Sequence, residues 1–142
     1  MNKKVMVSGG FDPIHVGHIR MIQEASKYGD VIVALNSDSW LIRKKGYFFM
    51  EWEERAEIIK AIEGVSLVVQ VGEHHDHVCD ALEMIRPDYF ANGGDRTEKN
   101  TPEKEVCSTL GIEMLWGIGG DYKANSSSIM VMNALDKIKR HS

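Results

Sequence analysis

The chain has 142 residues, 43% of them hydrophobic and 27% charged, and a net charge of −4. That length suits one domain over residues 1–142 with a single buried core, and the acidic balance lacks the basic stripe that a nucleic-acid partner requires. No apolar run is long enough to cross a bilayer, no signal-peptide pattern opens the chain, and Cys79 and Cys107 form neither a CxxC pair nor a disulfide framework. A cytoplasmic protein that binds neither membrane nor nucleic acid is therefore expected.

In chain order, Val5-Met6-Val7-Ser8 reads as a buried strand ending in Gly9-Gly10. Ile19, Ile22 and Ala25 predict a helix, closed by Gly29-Asp30. The β-branched run from Val31 to Leu35 predicts a strand covered on both faces, and Asn36 to Gly46 a polar, basic loop. Glu51 to Glu63 predicts a helix whose early acids suit its dipole, with Trp52, Ala56 and Ile59 on the buried side. A strand over Val65 to Val71, a helix over Val78 to Ile85 and a strand over Asp88 to Ala91 follow, the last opening onto Asn92-Gly93-Gly94-Asp95. A helix from Pro102 to Leu110, a strand from Ile112 to Gly117 and a helix from Ser126 to Lys139 complete the chain.

Strands alternate with helices throughout. The expected class is α/β, a Rossmann-like, doubly wound, five-stranded parallel sheet with helices on both faces. Such sheets bind ligands at the carboxyl ends of strands, where strand order reverses. The glycine-rich ends of the first and fourth strands are the places to look.

The segment from Gly9 to His18 carries the chemistry. Its glycines let backbone approach a ligand. His15 and His18 open a helix three residues apart, so their rings share one side, and the free N–H groups of that helix start face the same space. Two imidazole donors and a helix N-terminus make a polyphosphate site. Metal ligation by the pair is the competing reading, although no third ligand stands nearby; two unrelated surface histidines are the plain one.

The run strand, Gly-x-Phe-Asp-x-x-His-x-Gly-His, helix resembles the cytidylyltransferase-like nucleotidyltransferase family, most nearly its heptose-1-phosphate adenylyltransferases and glycerol-3-phosphate cytidylyltransferases. The resemblance continues through Asp38 after the second strand, the basic stretch Arg43-Lys44-Lys45-Gly46, Glu53-Glu54-Arg55, the Gly93-Gly94-Asp95 turn and Ser126-Ser127-Ser128. It implies transfer of a nucleoside monophosphate from a triphosphate to a phosphorylated small molecule, releasing pyrophosphate, with Mg²⁺ bridging the phosphates. His15, His18 and Lys45 would be catalytic. Gly9, Gly10, Phe11, Asp12, Gly17, Gly93, Asp95, Ser126, Ser127 and Ser128 would line the nucleotide, and Asp38, Lys44 and Arg55 the substrate. A homodimer is implied in the same way.

Each residue has a plainer reading. Lys44 and Lys45 could be solvated, Arg55 could pair with Glu51, the serines could only cap a helix and Gly93-Gly94-Asp95 could be only a turn. A nucleotide-binding regulator without turnover is the alternative of another class. Asp121-Tyr122-Lys123-Ala124-Asn125 lacks the arginine that many cytidylyltransferases carry before the last helix, which with the likeness to ATP-using relatives puts ATP slightly ahead of CTP, while Lys123 in the arginine's place keeps CTP a close second. Gly10 stands where relatives often have Thr, Val or Ser, implying extra room beside the nucleotide. Tyr47-Phe48-Phe49 are aromatic where relatives are more polar, and suit a packing or dimer contact or a stacked ligand. His74-His75-Asp76-His77 with Cys79 is rich in ligand atoms but reads as a polar loop and helix start capped by Asp76, ahead of a metal site.

Overall fold

The structure, a computed structural model, describes residues 2–93, 103–119 and 127–140. In chain order the elements are β1 (Lys4–Gly9), α1 (Val16–Ala25), β2 (Asp30–Asn36), α2 (Asp38–Lys45), α3 (Trp52–Lys60), β3 (Val65–Val71), α4 (Cys79–Ile85), β4 (Tyr89–Gly93), α5 (Lys104–Leu110), β5 (Glu113–Ile118) and α6 (Ser127–Arg140).

The five strands form one parallel sheet in the order β3-β2-β1-β4-β5. Val5, Val7, Val31, Val33 and Leu35 point to one face and are covered by Ile22 and Ala25 of α1 and Ala56 and Ile59 of α3. Met6, Ile32, Ala34 and Phe90 point to the other, covered by Ala81 and Leu82 of α4 and Cys107 of α5. Burial on both sides explains why β1 and β2 are continuous apolar runs without alternation. The doubly wound expectation holds. Chain order reverses at β1, whose neighbours are β2 and β4, so the crevice beyond the carboxyl end of β1 is the switch point.

One expected loop is a helix. Residues 38–45 form α2: Ser37 caps it by accepting from the Trp40 amide (3.2 Å), and Gly46 ends it at φ 87°, a conformation that suits glycine. Arg43, Lys44 and Lys45 in its last turn complement the helix dipole. Only Leu41 is buried in this element, so apolar periodicity could not announce it. The Asp76 cap also fails. The residue before α4 is Val78, with no side-chain cap, while Asp76 is exposed and pairs with Arg43 (3.3 Å) and Lys44 (3.1 Å).

Candidate active site at the carboxyl end of the first strand

β1 delivers the chain into the switch point, and Gly9 is needed there because the Phe11 ring lies across it, 3.2 Å from where a Cβ would stand. Gly10 has a different reason from the one its neighbourhood in sequence suggests. A Cβ on Gly10 would meet Leu41 Cδ2 at 2.9 Å, so the missing side chain makes way for α2. Phe11 then takes φ 52°, turning the chain so that Asp12 points inward, 0% exposed.

His15 is the N-cap of α1 and His18 its third residue, and the two close a reciprocal capping box. The Gly17 amide donates to Nδ1 of His15 (3.0 Å), and the His15 amide donates to Nδ1 of His18 (3.1 Å). Each Nδ1 is thus an acceptor, which assigns the proton of each neutral ring to Nε2. The rings stack with centroids 3.9 Å apart, and Phe11 leans on His18 at 4.5 Å. Both histidines remain partly exposed. Burial lowers the His15 pKa; burial first, then the charges of His15 and Lys45, pushes His18 down to about 3. Near neutral pH the pair is a neutral double donor. The helix amides contribute less than the sequence implies, since the Gly17 and His18 amides are taken by His15 itself.

Lys45 reaches the same space from the end of α2, its Nζ donating to the Asp12 carbonyl (3.0 Å). Burial and the Arg55 charge lower its pKa, against the raising influence of Asp12.

Beneath these groups lies a polar frame. The Asp12 carboxylate accepts from the Phe49 (2.8 Å) and Met50 (2.9 Å) amides. Arg55, 1% exposed, donates from Nη1 to the carbonyls of Gly10 (2.7 Å) and Asn36 (2.8 Å), from Nε to Met50 (3.0 Å) and from Nη2 to Asp38 (2.6 Å). One guanidinium thereby ties the glycine turn, the end of β2, the start of α2 and the segment before α3. Arg55, expected from the sequence to face a substrate, has a side chain with no surface left to offer, whereas Asp38 pairs with it and keeps 32% of its side chain exposed. The pairing of Arg55 with Glu51 is likewise not what the structure shows. Lys44 turns outward to Asp76 and stands apart from the histidines.

A family model described as cytidylyltransferase-like matches residues 6–134. The chain belongs to the cytidylyltransferase-like family. Among curated relatives of this family member, the bifunctional protein HldE of Geobacter metallireducens is 34% identical over 143 residues, covering 97% of this chain and 27% of that protein. The bifunctional protein HldE of Sulfurimonas denitrificans is 38% identical over 111 residues, covering 76% of this chain and 23% of its own. The chain thus spans about a quarter of the length of these relatives. Among solved structures, the lipopolysaccharide core biosynthesis protein of Thermoplasma volcanium shares the fold with a TM-score of 0.66 at 24% identity, covering 82% of this chain and 96% of that one.

Of the other sequence-predicted residues, Gly93 ends β4 beside the switch point, and Ser127 and Ser128 open α6. Gly94, Asp95 and Ser126 lie outside the described residues. The second histidine cluster does not converge: His75 and His77 stack at 5.0 Å, and among the described residues no group of three or more potential ligands is arranged to hold a metal. No helix among them is long and apolar enough to cross a membrane. Sequence reasoning missed the partners of Asp12, backbone amides from a segment 37 residues away. It also missed α2, for which the Ser37 cap, the basic last turn and Gly46 were the available signal.

Proposed function

We propose that residues 1–142 act as one nucleotidyltransferase domain, moving a nucleoside monophosphate from a nucleoside triphosphate, ATP ahead of CTP, onto a sugar phosphate or similar phosphorylated acceptor, with release of pyrophosphate. The observation that carries this is the stacked pair of neutral imidazoles, 3.9 Å apart, with both Nε2–H groups uncommitted to the capping box and Lys45 beside them. Membership of the family supports the reaction class, and the resemblance of the sequence motifs to heptose-1-phosphate adenylyltransferases supports a sugar-phosphate acceptor.

In this reading an acceptor phosphate oxygen attacks the α-phosphorus in line with departing pyrophosphate. His15 and His18 donate through Nε2 to triphosphate oxygens as negative charge builds, a preorganised arrangement that needs no proton transfer. Lys45 neutralises the acceptor phosphate or α-phosphate. Ser126, Ser127 and Ser128 with the start of α6 hold the outer phosphates, and Gly93 and Asp95 border the base or ribose. Arg55, Asp38 and Asp12 act as positioning residues. The Asp12 carboxylate is 0% exposed and accepts two amides, and Asp38 pairs with Arg55, so Mg²⁺ fits this site as a passenger on the substrate phosphates. When bound, the ion would supply charge neutralisation there. Two buried, unpaired cysteines suit the cytoplasmic setting, and the homodimer rests on the resemblance.

Incubating the protein with each of the four ribonucleoside triphosphates, Mg²⁺ and a panel of phosphorylated sugars and polyols tests this. Pyrophosphate and a nucleoside-diphosphate-linked product are expected, most strongly with ATP. Nucleotide binding without pyrophosphate from any combination would refute the transfer reading.

A further inference from the structure

Residues 47–50 follow the left-handed turn at Gly46 and are held from beneath by two buried groups. Asp12 accepts the Phe49 and Met50 amides, and Arg55 Nε donates to the Met50 carbonyl, with Asp12 and Arg55 only 0% and 1% exposed. Charge-assisted bonds out of reach of water fix this backbone. The side chains go the other way: Tyr47, Phe48 and Phe49 are 38%, 36% and 57% exposed. Tyr47 and Phe49 meet edge to face, centroids 5.6 Å apart and planes at 78°, so they form a corner and not a flat patch. Lys45 Nζ lies 6.0 Å from the centre of the Tyr47 ring while bonding the Asp12 carbonyl, which joins this corner to the cationic edge of the site.

Neither ring belongs to the core on either face of the sheet. A rigid segment that keeps aromatic surface wet beside a cation has the layout of a binding wall, since its rings gain area on contact at low entropic cost. Resting on the reading that Lys45 holds the acceptor phosphate, we infer that Tyr47 and Phe49 are specificity-determining residues that receive the apolar face of a ring carried by the acceptor. A phosphate on Lys45 leaves its esterified organic group against Tyr47. A pyranose presents a face of C–H groups to that ring, whereas glycerol 3-phosphate and aminoalcohol phosphates have no such face. Because the backbone is already anchored, contact with the corner orders little that was free.

Steady-state pyrophosphate release with ATP, comparing pyranose 1-phosphates with glycerol 3-phosphate, tests the inference on the full chain. The wild type is expected to favour a pyranose 1-phosphate by at least about 10-fold in kcat/KM, equivalent to about 1.4 kcal/mol. Tyr47→Ala and Phe49→Ala should each raise the KM for that acceptor about 10-fold while the KM for ATP stays put, with Tyr47→Phe and Phe49→Tyr restoring it. An unchanged acceptor KM in both alanine variants, or a wild type that prefers glycerol 3-phosphate, overturns the inference and leaves the transfer reading intact. A Phe49→Ala protein that falls from dimer to monomer in light scattering with unaltered acceptor KM also overturns it, and assigns the corner to contact between copies. A wild type that turns over no acceptor defeats the transfer reading, and this inference with it.

Discussion

His18→Ala removes two interactions that the structure separates by atom. Nε2–H is the donor proposed for the triphosphate, and Nδ1 accepts the His15 amide at 3.1 Å in the capping box. Loss of a preorganised donor to developing negative charge costs about 10²–10³ in kcat, or about 2.7–4 kcal/mol of barrier. Loss of the cap costs about 0.5–2 kcal/mol of stability, a fall of roughly 2–8 °C in Tm for a domain of this size. The two losses are read independently, by pyrophosphate release at saturating substrates and by thermal melting followed by circular dichroism. His18→Gln is the control. A glutamine at the third helical position restores the reciprocal cap, so its Tm should recover while kcat stays at least tenfold low, on the order of the donor loss. A folded His18→Ala protein whose kcat lies within about threefold of wild type would refute the assignment, because no oxyanion-type donor is worth so little.

Three further outcomes follow from the same geometry. His18 titrates at about 3 in the folded protein against about 6.5 unfolded, so between those values the unfolded chain binds the extra proton and stability falls as pH falls, by at most about 1.4 kcal/mol per pH unit; His18→Ala should flatten that slope in urea titrations from pH 7 to 4, and an equal slope in both proteins would contradict it. Arg55→Ala strands Asp38 and three carbonyls and should cost about 3–5 kcal/mol by urea denaturation, whereas a loss below about 1 kcal/mol would mean the frame is not what holds the turn. Gly10→Ala pushes a Cβ to 2.9 Å from Leu41 Cδ2 and should cost about 1–3 kcal/mol with the KM for ATP unchanged, recovered by adding Leu41→Val; a raised KM at constant Tm would return Gly10 to the ligand side.

Much of the candidate site was written in adjacent residues. Gly9, Phe11, His15 and His18 sit within one strand-to-helix turn, so their spacing alone put both rings on one side of α1. What spacing could not carry was the chemistry of each ring atom. A histidine at an N-cap position uses one nitrogen for the backbone, and only the folded geometry shows that Nδ1 is spent and Nε2 remains. Arg55 shows the same limit: its neighbours in sequence suggest an exposed pair with Glu51, but three of its four partner residues, Gly10, Asn36 and Asp38, lie on segments brought together only by the fold.

The amino-acid sequence by itself determined the alternation of strands and helices, the parallel two-faced sheet and the turn that presents the histidines, because runs of β-branched residues, helical spacing and glycines act within a few residues of one another. Tertiary structure alone decided that Asp12 and Arg55 are buried in a shared polar frame, and that the backbone carrying Tyr47 and Phe49 is anchored to Asp12. Those outcomes depend on hydrogen bonds and packing between segments far apart in the chain, such as Asp12 with Phe49, whose energy exists only once the sheet has brought both ends together.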